Sequence, residues 1–159
     1  MGLPKLKTKI SVENYLKGEK YSPVRHEYIE GEVYAMAGKS DNHARITGNL
    51  FVALSNHLRD SNGEPFATEI KVQVMRNVCY YPDVLVSCEE NPESPYFRNA
   101  PILIIEVTSR STANIDRREK LLFYRQMPSV QEYAVVDQHR MKLRTSPATA
   151  ERQLDNLFF

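Results

Sequence analysis

The sequence has 159 residues, of which 42% are hydrophobic and 26% are charged, and its formal net charge is +1. This length and composition predict one soluble globular domain, and the near-neutral charge gives no general indication of a nucleic-acid partner. No apolar run approaches the roughly 20 residues of a membrane helix. Because the basic N-terminus also lacks the apolar core of a signal peptide, we expect a cytoplasmic protein without a membrane partner.

The first third of the sequence predicts a short helix, a hairpin and a long helix. The short helix follows Ser11, a residue type favoured as an N-cap, and ends at Gly18. Residues 26–36 predict a hairpin with its turn at Glu30-Gly31. Apolar residues at three- and four-residue spacing predict a helix over 41–59, with its first or second residue as the N-cap.

The rest of the sequence predicts five strands, a long loop and one further helix. The order of elements predicts an α/β fold in which a mixed β-sheet is flanked by α-helices. One domain is expected over 1–159, with its core over about 11–144 and a divergent or truncated tail over 145–159. The predicted strands are 66–75, 80–87, 101–108, 132–136 and 141–144, with a loop over 89–100 and a helix over 114–127.

Two acids lie inside apolar runs that are typical of short buried strands. Asp83 lies in the run 81–86, and Glu106 lies in the run 101–107. Burial of a carboxylate is costly unless a cation or hydrogen-bond donors compensate for the lost hydration. Side chains alternate along a strand, so the two carboxylates can converge on one cation if the strands are neighbours. Since Mg²⁺ prefers carboxylate oxygens and waters, the pair predicts a site for Mg²⁺ or Mn²⁺.

The acids also carry a resemblance to a known family. Pro82-Asp83 on one strand, followed by Glu106 on the next, resembles the signature of the restriction-endonuclease-like nucleases, the PD-(D/E)XK superfamily. The sequence is similar to one bacterial branch of these endonucleases, numerous in cyanobacteria, over about residues 11–144. The resemblance implies a restriction-endonuclease-like mixed β-sheet flanked by α-helices. The matching stretches are 25–32, 36–38 with His43, 80–84, 101–109 with Ser111-Thr112, then Asp116, Lys120, Tyr124 and 131–133.

The resemblance implies a metal-dependent active site. Asp83, Glu106 and the backbone carbonyl of Val107 would hold Mg²⁺ or Mn²⁺. Thr108 stands where the superfamily signature has a lysine. In this branch the lysine is placed on the following helix, so Lys120 is expected to orient the attacking water.

Two further parts of the site follow from the same resemblance, and each leaves alternatives open. His43 is a catalytic candidate that would contact a phosphate or a metal-bound water. Alternatively, His43 is an N-terminal helix residue that is hydrogen-bonded locally. An auxiliary acid is often supplied from an N-terminal element in this superfamily. Glu27, Glu30 and Glu32 are the candidates for it.

The main site residues also have structural interpretations. Asp83 can accept hydrogen bonds from backbone amides at a strand end, and Glu106 can form a buried ion pair with Arg110. Lys120 lies four residues after Asp116 on the predicted helix. A surface ion pair worth a few tenths of a kcal/mol would explain both of these residues.

The sequence supports three functional hypotheses. The first is a Mg²⁺-dependent endonuclease that hydrolyses DNA phosphodiester bonds and forms a homodimer, because cleavage of a duplex needs two active sites or two events. The second is a non-catalytic nuclease-fold module that binds DNA or a protein, which Thr108 and the divergent tail favour. The third is a metal-free carboxylate-pair hydrolase acting on sugars, which requires carboxyl groups about 5–9.5 Å apart.

Overall fold

A computed structural model of the protein describes residues 8–108, 119–139 and 143–147. None of the helices in these ranges has the length and apolar character that a membrane span requires. The helices are α1 (Val12–Glu19), α2 (Asp41–His57) and α3 (Leu121–Tyr124). The strands are β1 (His26–Ile29), β2 (Glu32–Ala35), β3 (Glu64–Ala67), β4 (Lys71–Met75), β5 (Val78–Tyr80), β6 (Val84–Ser87), β7 (Phe97–Arg98), β8 (Pro101–Thr108), β9 (Glu132–Asp137) and β10 (Leu143–Pro147).

These strands form two five-stranded sheets. The first sheet has the order β2-β1-β5-β4-β7, and the second has the order β10-β9-β8-β6-β3. The pairs β4–β7 and β8–β9 are parallel, and the remaining pairs are antiparallel. The predicted α/β class with mixed strand directions is therefore confirmed, and the strands are divided between two sheets.

The predicted hairpin turn requires left-handed backbone at two consecutive residues. Glu30 has a φ of 50° and Gly31 a φ of 96°, a pattern that matches the right-handed twist of the flanking strands. A Cβ atom added at Gly31 would lie 2.8 Å from the Cβ of Lys9. Glycine is thus needed at this position for both its conformation and its size.

The predicted helix boundaries need small corrections. Ser11 caps α1 as expected, because its Oγ accepts a hydrogen bond from the Asn14 amide at 3.2 Å. The helix extends one residue past Gly18, its predicted end. The N-cap of α2 is Ser40, whose Oγ accepts from the His43 amide at 3.2 Å, so the prediction of Asp41 or Asn42 as the cap is wrong.

Two of the predicted strands are each broken into two, and the halves enter different sheets. The run 66–75 is interrupted at Thr68, whose φ of 52° is incompatible with a strand, so β3 and β4 separate there. The run 80–87 is interrupted at Tyr81–Asp83, because Pro82 has no N–H to donate to a neighbouring strand. Asp83 therefore lies in the link between β5 and β6 and not within a strand.

The C-terminal predictions are partly testable. The strand at 101–108 is confirmed in full as β8, whereas the predicted loop over 89–100 contains the short strand β7, which pairs with β4. Of the helix predicted over 114–127, α3 forms Leu121–Tyr124, and 114–118 lie outside the described residues. The last strand, β10, contains residues 143–144 of the strand predicted over 141–144 and continues to Pro147, and 141–142 lie outside the described residues. The tail after 147 also lies outside the described residues.

The main core joins the two sheets, and it fixes which way each strand faces. Ile104 of β8 packs in this core with Tyr80 of β5 and Tyr124 of α3. On the opposite face of the second sheet, α2 packs against a smaller cluster that includes Ile105. Because side chains alternate, Glu106 faces the same side as Ile104, toward β5 and α3.

Candidate functional site

Asp83 is held at the junction of the two sheets. Val84 pairs with Ile105 in the antiparallel β6–β8 ladder, so the next position places Asp83 opposite Glu106. The Asp83 side chain is buried, and its Oδ2 accepts a hydrogen bond from the Val107 amide at 2.7 Å. The carboxylate thus satisfies a backbone donor, as its structural interpretation predicted, and it also contacts the side chains of Lys39 and His43.

Two basic residues at the start of α2 contact the Asp83 carboxylate. His43 Nε2 lies 3.1 Å from Oδ2, and the Lys39 ammonium contacts Oδ1. Because an ionised carboxylate only accepts hydrogen bonds, Nε2 of His43 carries the hydrogen in this contact. Burial raises the pKa of Asp83, but the hydrogen bond from His43 and the charge of Lys39 outweigh it, so the net pKa lies below the ordinary value.

Lys120 joins two acids from distant parts of the chain. Its Nζ lies 3.2 Å from Glu106 Oε1 and 2.8 Å from Glu27 Oε1. The Lys120 side chain is only 7% exposed, so a surface ion pair does not describe it. Asp116 and Arg110, the partners in the structural interpretations, lie outside the described residues. The structure therefore places the Lys120 ammonium against Glu106, the acid that it was predicted to approach.

Tyr124 completes the surroundings of Glu106. Its hydroxyl lies 3.5 Å from Glu106 Oε1. Burial, followed by the negative charge of Glu106, holds the pKa of Tyr124 well above its ordinary value. The hydroxyl therefore stays protonated, and it can donate to the carboxylate but cannot serve as a base near neutral pH.

Of the three candidate auxiliary acids, Glu27 is the one that reaches the site. Besides Lys120, its Oε1 accepts from the Tyr81 amide at 3.3 Å. Glu30 lies in the exposed hairpin turn, and Glu32 accepts from the Tyr34 hydroxyl. Glu27 therefore links β1 to the Tyr81–Asp83 segment and to α3.

Thr108, which stands where the superfamily signature has a lysine, and the preceding Val107 have different surroundings. Thr108 is buried, and its hydroxyl lies 3.5 Å from the Val136 carbonyl of β9. Its side chain is therefore engaged with the neighbouring strand. Val107 contacts Asp83 through its amide; the predicted role of its carbonyl as a metal ligand stays a prediction.

A third buried acid, besides Asp83 and Glu106, supports the chain segments that carry the site. Glu19, at the end of α1, accepts from the His26 amide at 2.8 Å and from the Tyr81 hydroxyl at 3.2 Å. Its other oxygen lies 3.0 Å from His26 Nδ1. Since His26 precedes Glu27 and Tyr81 precedes Pro82-Asp83, Glu19 fixes the chain next to both acids.

Replacing Glu19 by alanine is expected to destabilise the fold by about 3 kcal/mol, because buried donors of His26 and Tyr81 lose their acceptor. Urea unfolding followed by circular dichroism measures this change. Glu19→Gln keeps an acceptor oxygen and should lose less stability, and Glu13→Ala, on the exposed side of the same helix, should leave the unfolding midpoint near that of the parent. Equal midpoints for Glu19→Ala and Glu13→Ala would contradict the supporting role.

Sequence reasoning missed Lys39 and Glu19 and left Glu27 undecided. Lys39 lies between Gly38 and the helix cap Ser40 without a distinctive pattern around it. The signal at Glu19 was weak as well, since an acid at a helix end is usually solvated. Only the tertiary contacts show which of these charges are buried.

The geometry can be set beside known proteins. Residues 12–153 match the model of the Uma2 family, whose description is "putative restriction endonuclease". The chain belongs to this family. The match spans the predicted core and both acids, in agreement with the resemblance seen in the sequence.

Individual relatives extend the comparison. Two proteins of Synechocystis sp., both named as uncharacterized, are 35% and 37% identical to this chain. Their alignments cover 91% and 80% of this chain and 84% and 68% of the relatives. A crystal structure of a putative nuclease from Anabaena variabilis superposes with a TM-score of 0.74 at 19% identity, covering 89% of this chain and 82% of the other. That likeness confirms the restriction-endonuclease-like fold.

Proposed function

We propose that this protein is a Mg²⁺-dependent endonuclease that hydrolyses phosphodiester bonds in DNA. The observation that carries the proposal is the buried bridge in which the Lys120 ammonium joins Glu106 and Glu27, with Asp83 opposite Glu106 on the neighbouring strand. Membership of a family described as "putative restriction endonuclease" supports the same chemistry. A buried cluster of acids beside a lysine is costly for stability alone and suits a site that handles phosphate and water.

The side chains fit a hard divalent cation. Asp83 and Glu106 offer carboxylate oxygens, and the Lys39 ammonium already takes the place of a cation at Asp83 Oδ1. The Lys39 side chain is 31% exposed, so it can move into solvent and leave that oxygen to a metal. Within the described residues, no group of three or more His, Cys, Asp and Glu side chains is arranged as a metal cage. Two carboxylates are enough for Mg²⁺, which commonly uses one or two of them and keeps several waters.

Mg²⁺ or Mn²⁺ would be held by Asp83 and Glu106, with the Val107 carbonyl as a further ligand. The ion supplies Lewis acidity, which lowers the pKa of water and stabilises negative charge on phosphoryl oxygens. Lys120, fixed by two acids, would donate a hydrogen bond to the attacking water and align it with the phosphorus atom. His43 would orient Asp83 by donating from Nε2 to Oδ2; its contact with a phosphate or a metal-bound water stays a prediction.

Magnesium removal tests the proposal directly. Purified protein incubated with supercoiled plasmid in Mg²⁺ or Mn²⁺ is expected to produce nicked circles and then linear DNA, whereas an excess of EDTA should leave the plasmid supercoiled. Gel electrophoresis over time measures the conversion. Cleavage that is equally fast in EDTA would overturn the role of the metal, and intact plasmid under all these conditions would overturn the nuclease itself.

A non-catalytic module that binds DNA or a protein is the second candidate. One observation favours it: Asp83 and Glu106 already have cationic partners, Lys39 and Lys120. In such a module these ion pairs would be permanent, and calorimetry would detect no Mg²⁺ binding. A metal-dependent nick in the plasmid assay would exclude it.

The homodimer also stays a prediction. The apolar stretch Leu157-Phe158-Phe159, a candidate for burial against a second chain, lies outside the described residues. We expect a particle of twice the monomer mass by light scattering after gel filtration. A monomeric mass together with plasmid nicking would show that each strand is cut in a separate event.

A further inference from the structure

Several cations lie close to the rings of Tyr21, Tyr81 and Tyr96. We name this group the tyrosine–cation cluster. It combines two lysines that form no salt bridge within the described residues with aromatic surface that is open to solvent. Its members are Lys20, Tyr21, Arg25, Lys71 and Tyr96.

Lys71 is the most unusual member of the cluster, because it is a buried lysine without an ion pair among the described residues. It is only 5% exposed, and its Nζ lies 3.4 Å from the Tyr96 carbonyl and 5.4 Å from the centre of the Tyr81 ring. In the part of the chain that the structure describes, it forms no salt bridge. Glu19, the acid whose charge acts on it most strongly, already binds His26 and Tyr81. An anion at Lys71 would offset the cost of burying this ammonium.

The aromatic part of the cluster is exposed. Tyr21 is 78% exposed and Tyr96 is 50% exposed. The Lys20 ammonium lies 5.8 Å from the centre of the Tyr21 ring and 5.4 Å from the centre of the Tyr96 ring. One cation thus stands over both rings, at distances typical of cation–π contacts. Rings beside a cation can bind the flat face of a base and the phosphate attached to it.

The cluster is continuous with the candidate active site. The Arg25 guanidinium lies 5.9 Å from the centre of the Tyr81 ring, on the same ring that Lys71 approaches. The Tyr81 amide binds Glu27, and Asp83 follows two residues later. Arg25 is paired with Glu69, so Lys20 and Lys71 are the cations of the cluster without a salt bridge in the described part of the chain. Because the Tyr81 ring is buried, a strand that leaves the acids would pass over the half-exposed Arg25 side chain to reach the cluster.

We propose that the tyrosine–cation cluster binds an unpaired DNA strand next to the scissile phosphate, so that the substrate is DNA with a single-stranded segment. The inference rests on the proposed nuclease function. Lys71 and Lys20 would contact phosphates, and Tyr21 and Tyr96 would stack on successive bases. Bases in a duplex are already stacked and offer only their edges, so two exposed rings suit unpaired bases.

Binding in EDTA tests this proposal without requiring cleavage. Fluorescence anisotropy would compare a labelled oligothymidylate of about 20 nucleotides with a duplex of the same length. The parent protein should bind the single strand more tightly. The double variant Tyr21→Leu/Tyr96→Leu should bind the single strand about tenfold more weakly, because stacking is lost, with little change for the duplex. Tyr21→Phe/Tyr96→Phe keeps the rings and should keep the affinity.

Charge variants test the phosphate contacts. Lys71→Met should reduce the slope of log affinity against log salt by about 0.7 on single strands, the value for one lost phosphate contact. Lys20→Gln, which alters an exposed residue, should do the same even if Lys71→Met is poorly folded by circular dichroism. Lys17→Gln, on the exposed side of α1, is the matched control and should leave the slope unchanged.

The possible outcomes separate this inference from the nuclease proposal. Equal single-strand affinities for the leucine and phenylalanine variants would overturn the proposal that the cluster binds an unpaired strand. A parent protein that binds the duplex more tightly would overturn it as well. Plasmid nicking would still stand in either case. Ring-dependent single-strand binding by a protein that never nicks DNA would keep the cluster as the binding surface of a module and overturn the enzyme.

Discussion

Asp83→Asn is expected to abolish metal-dependent plasmid cleavage and to weaken Mn²⁺ or Mg²⁺ binding by about a hundredfold or more. Loss of a group that only orients a metal ligand typically costs 10–100-fold in metal affinity, and loss of a carboxylate ligand costs at least as much. Asparagine keeps an oxygen that can accept from the Val107 amide. The fold should therefore survive while the charge is lost. Isothermal titration with Mn²⁺ measures binding, and plasmid nicking measures activity.

Asp41→Asn provides the matched control for this variant. Asp41 is an exposed acid in the first turn of α2, next to the helix residues that contact Asp83. The Asp41→Asn variant removes the same negative charge near the same helix and should leave metal binding and nicking unchanged. If Asp83→Asn cleaves plasmid at the parental rate, Asp83 is a structural residue that accepts hydrogen bonds from the backbone and its neighbours.

An element of the fold could be predicted from the sequence where neighbouring residues determine it. The strand β8 could be predicted to the residue because its apolar run begins at Pro101 and ends in polar residues. The turn at Gly31 could be predicted because the backbone conformation selects glycine. The break at Thr68 could not, because a threonine has no intrinsic preference for a positive φ and the surrounding sheets impose it. Predictions from apolar runs therefore joined strands that belong to different sheets.

The site divides in a similar way. Asp83 and Glu106 were visible because a charge inside an apolar run is locally anomalous. The contact between Lys120 and Glu27 joins residues 93 positions apart, and no local pattern distinguishes Glu27 from Glu30 and Glu32. Lys39 was missed for the same reason. The resemblance supplied Lys120, whereas the balance of buried charges around it required the packing of α3 against β1 and β8.

That balance makes Lys120→Met the most informative stability variant. Its ammonium lies between Glu106 and Glu27 in a buried setting. Methionine fills a similar volume but leaves two acids without this cation. In EDTA we expect the free energy of unfolding to fall by about 3–5 kcal/mol, the usual cost of removing one partner from a buried ion pair. Urea unfolding measures this loss, and Lys17→Met, at an exposed position, is the control.

Stabilisation by Mg²⁺ and the rate of DNA cleavage then distinguish a catalytic lysine from a purely structural one. If Glu106 is a metal ligand, Mg²⁺ should stabilise Lys120→Met more than it stabilises the parent, because the cation replaces the lost ammonium and binding adds to stability. Nicking should nevertheless remain about 10²–10³-fold slower, the usual cost of losing one donor to the reacting groups. Stability restored by Mg²⁺ together with parental nicking would show that Lys120 only neutralises the acids. If Mg²⁺ stabilises neither Lys120→Met nor the parent protein, the metal does not bind at Glu106.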